Sequence, residues 1–147
     1  MAVKLNSLKA DLSRERNGAW MPYADGGDPD LAFKVRGINS PEYEAARDRE
    51  MVRLQQRFGT EPVPADERFK VLGQLLAEHI LLDWKGIVDD DGAPVPYSKD
   101  LALDLLSAPE GRELRGYVIV CAQRLTEVKV EFVKDAVKNS APPSAKN

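Results

Sequence analysis

The segment Asp66-Glu-Arg-Phe-Lys-Val-Leu-Gly-Gln-Leu-Leu-Ala-Glu-His-Ile-Leu-Leu-Asp-Trp84 dominates the apolar pattern of the chain. Its apolar side chains cover much more than a third of a helix circumference, whereas a surface helix carries a narrower stripe. These side chains are Phe69, Val71, Leu72, Leu75, Leu76, Ile80, Leu81, Leu82 and Trp84. We therefore expect a helix over residues 66–84, central to the core or buried by a partner.

Upstream of this segment the pattern predicts a hairpin and one surface helix. Residues 19–23 and 31–36 have strand character, and the turn formers of residues 24–30 separate them. Pro22 lacks a backbone donor, so we expect its strand at a sheet edge. Ser40 is predicted to cap a helix that ends near residue 58. Its narrow buried stripe is Tyr43, Ala46, Met51, Leu54 and Phe58.

Downstream, the pattern predicts a loop and two further helices. Residues 85–97 form the loop around an Asp-Gly turn, and Ser98 caps a short leucine helix. Ser107 and Glu110 resemble a capping box, which would start a long last helix over residues 110–134. Its expected seam is Leu114, Val118, Cys121, Leu125, Val128 and Phe132.

The predicted fold class is α+β and mainly α-helical. A small N-terminal antiparallel β-hairpin precedes about four helices, the last of them long. We expect a frayed arm over residues 1–17, one compact domain over residues 18–138 and a disordered tail over residues 139–147.

Composition narrows the functional classes. The 147 residues are 43% hydrophobic and 31% charged, which is typical of a globular domain without a membrane span. A net charge of −3 argues against general nucleic-acid binding, which needs a basic surplus. Residues 59–98 hold eight acidic and three basic residues, a net charge of −5, which favours a basic partner. With no signal-peptide pattern at the start, we expect a cytoplasmic protein.

No motif predicts catalysis, a metal or a cofactor. The triplet Asp89–Asp91 precedes Gly92, but an EF-hand frame on Gly92 places Ile87 and Ser98 where the essential carboxylates belong. A solvated turn with side-chain caps is the preferred interpretation. His79 lacks a neighbouring nucleophile or second base and is expected to be a hydrogen-bonded core or interface residue. Cys121 is expected to fill the apolar seam of the last helix.

Aromatic residues near the loop allow two interpretations. Trp84 and Tyr97 gather with two prolines, a combination found at interfaces, but the preferred interpretation is that Trp84 pins the loop to the core. Trp20 could likewise anchor the hairpin. The seam of the last helix suits an internal core, a second copy or another protein.

The order of these residues resembles the tail assembly chaperones of long-tailed bacteriophages. The resemblance rests on Trp84-Lys-Gly-Ile-Val-Asp-Asp-Asp-Gly-Ala-Pro-Val-Pro-Tyr-Ser98 and the leucine helix ending in Leu105-Leu106. Two further segments are similar to the opening hairpin and first helix of that family: Glu15-Arg-Asn-Gly-Ala-Trp20 and Phe33-Lys-Val-Arg-Gly-Ile-Asn-Ser-Pro-Glu-Tyr43. The resemblance therefore spans residues 12–134. Where that family often has glycine before the tryptophan, this chain has Asp83.

The resemblance implies a non-enzymatic role in virion assembly in the host bacterial cytoplasm. Such proteins bind the tape-measure protein, help to recruit tail tube protein and are absent from the mature virion. We expect a tape-measure helix to pack on the helices of residues 66–84 and 110–134. The predicted partner-binding residues are Trp84, Tyr97, Leu76, Ile80, Val118 and Leu125. A structural minor tail protein and a phage regulator of a host protein remain alternatives, and homo-oligomerisation remains open.

Overall fold

The computed structural model describes residues 1–24 and 29–133. The fold is mixed α+β and mainly helical, with an antiparallel hairpin near the N-terminus, as the sequence predicted. Within the described residues the strands are β1 (Ala2–Val3), β2 (Ala19–Pro22), β3 (Ala32–Val35), β4 (Leu81–Lys85) and β5 (Phe132–Val133). The α-helices are α1 (Leu12–Asn17), α2 (Pro41–Phe58), α3 (Ala65–His79), α4 (Lys99–Ser107) and α5 (Arg112–Leu125). Short 3-10 turns span Leu5–Leu8 and Pro109–Gly111.

The chain divides into two compact units. Residues 12–126 form the larger unit, and the described residues 1–11 and 127–133 belong to the smaller one. The predicted tail over residues 139–147 and the predicted domain boundary at residue 138 lie outside the described residues.

An antiparallel three-stranded sheet with the order β2-β3-β4 lies in the larger unit. Ala19 pairs with Val35 and Pro22 with Ala32 in the predicted hairpin, and Pro22 lies on an edge strand as expected. The third strand corrects the sequence analysis, because the helix expected over residues 66–84 ends at His79. Residues 81–85 instead pair with β3, with Trp84 opposite Phe33. A continuous apolar run fits a buried strand as well as a buried helix, and here pairing with β3 determines the outcome.

The core lies where α3, α4 and α5 cover the sheet. Its fully buried side chains include Phe33, Val35, Leu76, Ile80, Leu81, Leu106, Val118 and Cys121. The α3 helix packs most extensively on α4. Gly73 permits this close approach, because a Cβ atom there would overlap the backbone at Leu106. Ser98 caps α4 as predicted, since its hydroxyl accepts a hydrogen bond from the Leu101 amide at 3.1 Å.

The α2 helix begins after Ser40, but the Ser40 side chain makes no capping hydrogen bond. Tyr43, Ala46 and Leu54 of the predicted stripe are buried. Met51 is 55% exposed, so it does not belong to the buried seam.

The last helix differs from the prediction at both ends. Ser107 caps no helix, because its hydroxyl donates to the Leu103 carbonyl, and a 3-10 turn separates it from α5. At the other end α5 stops at Leu125 rather than at residue 134. The Thr126 hydroxyl donates to the Gln123 carbonyl at 2.7 Å, and this local bond accompanies the helix end. Val128 and Phe132 are exposed and lie beyond the helix.

In the smaller unit β1 pairs with β5 in antiparallel register. Ala2 lies opposite Val133 and Val3 opposite Phe132. The Lys4 amide extends this ladder by donating to the Glu131 carbonyl at 2.8 Å. The N-terminal segment predicted to be an arm therefore contains β1, a 3-10 turn and, from Leu12, the α1 helix.

Candidate partner-binding site

The Trp84–Tyr97 pair holds the loop of residues 86–97 against β4. Trp84 is only 4% exposed, and its Nε1 donates to the Val95 carbonyl at 2.7 Å. The Tyr97 ring meets the indole edge-on, with centroids 5.1 Å apart. The Tyr97 hydroxyl donates to the Leu81 carbonyl at 3.4 Å. Burial raises the pKa of this phenol, and the Asp83 carboxylate raises it further. These contacts fit the interpretation in which Trp84 pins the loop.

The other sequence-predicted partner residues are core residues in this structure. Leu76, Ile80 and Val118 are fully buried, and Leu125 is 3% exposed. Of the six predicted residues, Tyr97 alone keeps substantial exposure. A partner would reach the other five only by opening the core. Their role in binding stays a prediction.

The surface of the larger unit offers an open apolar groove of about 390 Å³. It lies between β3, the loop after β4, the end of α4 and the first turns of α5. We call it the apolar groove and define it by its apolar walls Leu31, Phe33, Ile87, Leu105, Leu114 and Tyr117. Leu105 is 39% exposed, so the groove presents hydrocarbon directly to solvent. A cleft of this kind can receive apolar side chains of a partner.

Two carboxylates border the apolar groove. Glu110 and Glu113 line it, whereas no lysine or arginine does among the described residues. Glu113 has one neighbouring cation, the exposed Arg112 guanidinium at 4.0 Å, and such surface pairs contribute little. The groove therefore combines an apolar floor with a negative border.

Tyr117 forms a wall of the groove that stays uncharged near neutral pH. Its pKa is raised, first by a hydrogen bond with the Tyr23 side chain and then by burial and by the Glu113 carboxylate. The Tyr23 and Tyr117 rings meet edge-on with centroids 4.3 Å apart. Tyr23 thus extends the aromatic wall beyond the groove.

A buried arginine positions the turn beside the groove. Arg115 is 3% exposed, and its Nη1 donates to the carbonyls of Leu106 at 2.8 Å and Ala108 at 2.7 Å. Leu106 lies in the last turn of α4, where carbonyls have no intrahelical donor, and Ala108 follows that turn. Gly111 completes the turn, because a Cβ atom there would overlap the Leu105 carbonyl. The sequence analysis missed Arg115, since nothing in the local pattern distinguishes it from a surface arginine.

A second depression, of about 360 Å³, lies between α2, α3 and α4 and has mixed charge. Arg49, Glu50, Arg53 and Glu78 line it together with His79. The His79 imidazole is half-buried and makes no hydrogen bond to the described residues, in contrast to the expectation. Its carbonyl accepts a bond from Arg36 Nη1 at 3.3 Å. Because acids and bases alternate here, the depression favours no one charge on a ligand.

The remaining motifs have structural explanations. The Asp89 carboxylate accepts bonds from the amides of Asp91 and Ala93, each at 2.9 Å, so it caps the turn as predicted. Cys121 is buried on the inner face of α5, also as predicted. In the described ranges no cluster of three or more His, Cys, Asp or Glu side chains could hold a metal ion. No helix among the described residues is long and apolar enough to cross a membrane.

Comparison with known proteins assigns a family. The family model described as YdaY prophage protein matches residues 38–139, well over half of the chain. No curated protein and no solved structure matches. The matched range includes α2 to α5 and all of the groove residues except Leu31 and Phe33. The chain therefore belongs to the YdaY prophage protein family.

Proposed function

We propose that this prophage protein is a non-enzymatic tail assembly chaperone. It binds the tape-measure protein and helps to recruit tail tube protein in the host bacterial cytoplasm, and it is absent from the mature virion. Two findings support the proposal: membership of a prophage protein family and the resemblance of residues 12–134 to tail assembly chaperones.

The observation that carries the proposal is the apolar groove with its acidic border. An amphipathic helix can lay apolar anchors into such a groove. Basic residues beside those anchors would face Glu110 and Glu113. Each exposed pair adds about 0.2–1 kcal/mol, so the carboxylates act mainly on orientation and association rate. Most of the affinity comes from the buried hydrocarbon, at roughly 25 cal/mol per Å² before ordering costs.

This proposal moves the binding surface relative to the sequence analysis. The groove still uses the loop after β4 and the last helix, through Ile87, Leu114 and Tyr117. The side chains offered to the partner are those that face solvent. Trp84 and Tyr97 support the loop from behind.

The test is co-expression with the tape-measure protein encoded by the same prophage. The soluble fraction of the tape-measure protein and its co-purification with this chain are measured. Leu105→Glu places a carboxylate in the apolar groove. It should lower the soluble fraction of the tape-measure protein and its co-purification at least tenfold. Met51→Glu is the matched control, because Met51 is an exposed apolar residue on α2 that does not line the groove.

Equal capture by both variants would refute a role for the groove. Failure of the unmodified chain to retain the tape-measure protein in solution would refute the chaperone function itself. Mass spectrometry of purified particles separates the alternatives. A stoichiometric amount of this chain in the particles would indicate a structural tail protein. Co-purification of host proteins alone with this chain would indicate a regulator.

A further inference from the structure

Among the described residues, the β5 strand of the smaller unit pairs with β1 along one edge only. The Glu131 carbonyl accepts a bond from the Lys4 amide at 2.8 Å, and the Glu131 amide donates to Ser7 Oγ at 2.8 Å. Both backbone groups of Glu131 thus face the N-terminal segment. In an antiparallel ladder this direction alternates from one residue to the next. The backbone groups of Phe132 therefore point to the opposite side, and continuation of the strand to Val130 would point the Val130 groups the same way.

No strand among the described residues of the smaller unit pairs with that side. Val130 makes no backbone hydrogen bond to a described residue. Val128, Val130 and Phe132 are 39%, 41% and 55% exposed. Their spacing of two residues is that of one face of a strand. A two-stranded ribbon with exposed apolar side chains is marginally stable, and a sheet of three or more strands is favoured.

The charges between these apolar residues are arranged for self-pairing. Lys129 and Glu131 flank Val130 symmetrically. If two copies of the strand run antiparallel about a two-fold axis at Val130, each Lys129 faces Glu131 of the other copy. Val128 then faces Phe132, and Val130 faces Val130. Opposite charges directly across an antiparallel pair stabilise it, whereas like charges destabilise it.

The hydrogen-bond directions agree with the same register. The residues whose backbone groups point outward, Val130 and Phe132, occupy hydrogen-bonded positions in this arrangement. Lys129 and Glu131 then occupy the closer, non-hydrogen-bonded positions. Lys129 has no ion-pair partner among the described residues, so its charge is available. Glu131 already meets Lys4 at 3.3 Å, and its carboxylate has a second oxygen for Lys129.

We propose that residues 128–132, which end in the first residue of β5 and extend that strand to its N-terminal side, pair with the same residues of a second copy of this chain, so that β1-β5-β5-β1 becomes one four-stranded antiparallel sheet. A free strand edge accepts any chain with suitable side chains, but this one is complementary to itself in both charge and register. The interface is isologous, as expected for a two-fold dimer. In the seam of the last helix, which the sequence left open for self-association, Val118, Cys121 and Leu125 are buried inside the larger unit.

Disulfide cross-linking tests the register in the full chain. In Val130→Cys the two new cysteines lie across a hydrogen-bonded pair, with Cα atoms about 5.5 Å apart, which permits a disulfide. Lys129→Cys alone places them on a diagonal about 7–8 Å apart, which disfavours one. Mixing Lys129→Cys with Glu131→Cys should restore cross-linking. The unmodified chain is the control, because its Cys121 is buried.

Charge inversion tests the pairing independently. Lys129→Glu places two acids opposite each other, and Glu131→Lys places two lysines opposite each other, so each variant should self-associate roughly tenfold more weakly. An equimolar mixture restores two opposite-charge pairs and should form the heterodimer. Sedimentation velocity at low ionic strength measures both.

A monomeric unmodified chain at all concentrations would overturn the proposal. So would a dimer whose affinity is unchanged by either inversion, because its interface would lie elsewhere. Cross-linking of Lys129→Cys alone as efficiently as Val130→Cys would refute the two-fold register.

Discussion

The guanidinium of Arg115 lies over the ring of Phe69, with Cζ 4.9 Å from the ring centroid. This contact joins α5 to α3, while Nη1 of the same arginine binds the carbonyls at the end of α4. Its Nη2 is buried without a hydrogen-bond partner among the described residues. One side chain therefore ties three helices together, and its hydrogen bonds to backbone explain why a charge is retained there without a carboxylate.

Arg115→Met should lower the free energy of unfolding by about 1–3 kcal/mol, because the buried Leu106 carbonyl loses its side-chain donor and the Ala108 carbonyl keeps only the Gly111 amide. Arg112→Met, in the same helix but exposed, should change it by no more than about 0.5 kcal/mol. Urea unfolding measures both. A loss at Arg112 equal to that at Arg115 would mean that the buried hydrogen bonds contribute nothing specific.

The Phe69 contact can be isolated by a double-mutant cycle. Phe69→Leu keeps an apolar side chain but removes the aromatic face. Combined with Arg115→Met it should show a coupling of about 0.5–2 kcal/mol, the range of a desolvated cation–π contact. Additive effects would show that the ring merely covers the arginine.

Two glycine-to-alanine changes should have opposite effects on the stability of the folded protein. Gly73→Ala forces α3 away from the backbone at Leu106 and should destabilise the protein by about 1–3 kcal/mol. Gly116→Ala, in α5, meets nothing within 4 Å and should stabilise it by about 0.5–1 kcal/mol. Thermal unfolding distinguishes them. A stable Gly73→Ala protein would show that α3 and α4 can separate without loss.

Trp84→Ala should destabilise the larger unit by about 3–5 kcal/mol, because it removes a buried indole from the core. Trp20→Phe should have a small effect, since Trp20 is 39% exposed and its ring mainly meets the Lys85 ammonium. Far-ultraviolet circular dichroism during denaturation provides the comparison. An unchanged midpoint for Trp84→Ala would favour the partner-contact interpretation.

Much of the fold could be predicted from local pattern. The hairpin follows from the alternation of apolar and polar residues. The start of α2 follows from Pro41 at the first helical position, and the start of α4 follows from the Ser98 hydroxyl at the N-cap. The error at residues 80–84 arose because Ile80, Leu81 and Leu82 are apolar in succession and only Asp83 separates them from Trp84, so the run has no clear period. Pairing with β3 is a long-range contact that no local pattern contains.

The error at the end of the last helix had a visible signal. Val128, Val130 and Phe132 alternate with Lys129 and Glu131, which is a strand period, although the first of them also continues the helical spacing of α5. The apolar groove had no such signal, because its walls come from four separate places in the chain. The predicted partner residues were chosen for apolar character, which the core and a binding surface share.

The stability of the protein should fall at alkaline pH in two stages. Burial raises the pKa of the Cys121 thiol, an effect that Arg124 partly opposes, and burial also raises the pKa of Tyr43, where Arg47 opposes it. A group whose pKa is higher in the folded state stabilises it fully below the pKa of the unfolded state. That contribution is lost as pH rises toward the folded-state value. The decline should begin near the ordinary thiol pKa of about 8.5 and steepen above the ordinary phenol pKa of about 10.

Urea unfolding at a series of pH values measures these stages, and two variants assign them. Cys121→Ala should be less stable at every pH, because it leaves a cavity, but its stability should stay level through the first stage. Tyr43→Phe should keep the first stage and make the second shallower, since the raised pKa values of Tyr97 and Tyr117 leave a remaining contribution there. The comparison uses the change in the free energy of unfolding with pH rather than its absolute value, so the constant loss caused by the cavity does not affect it. A first stage that survives Cys121→Ala would mean that another group titrates there and that the buried thiol is not its source.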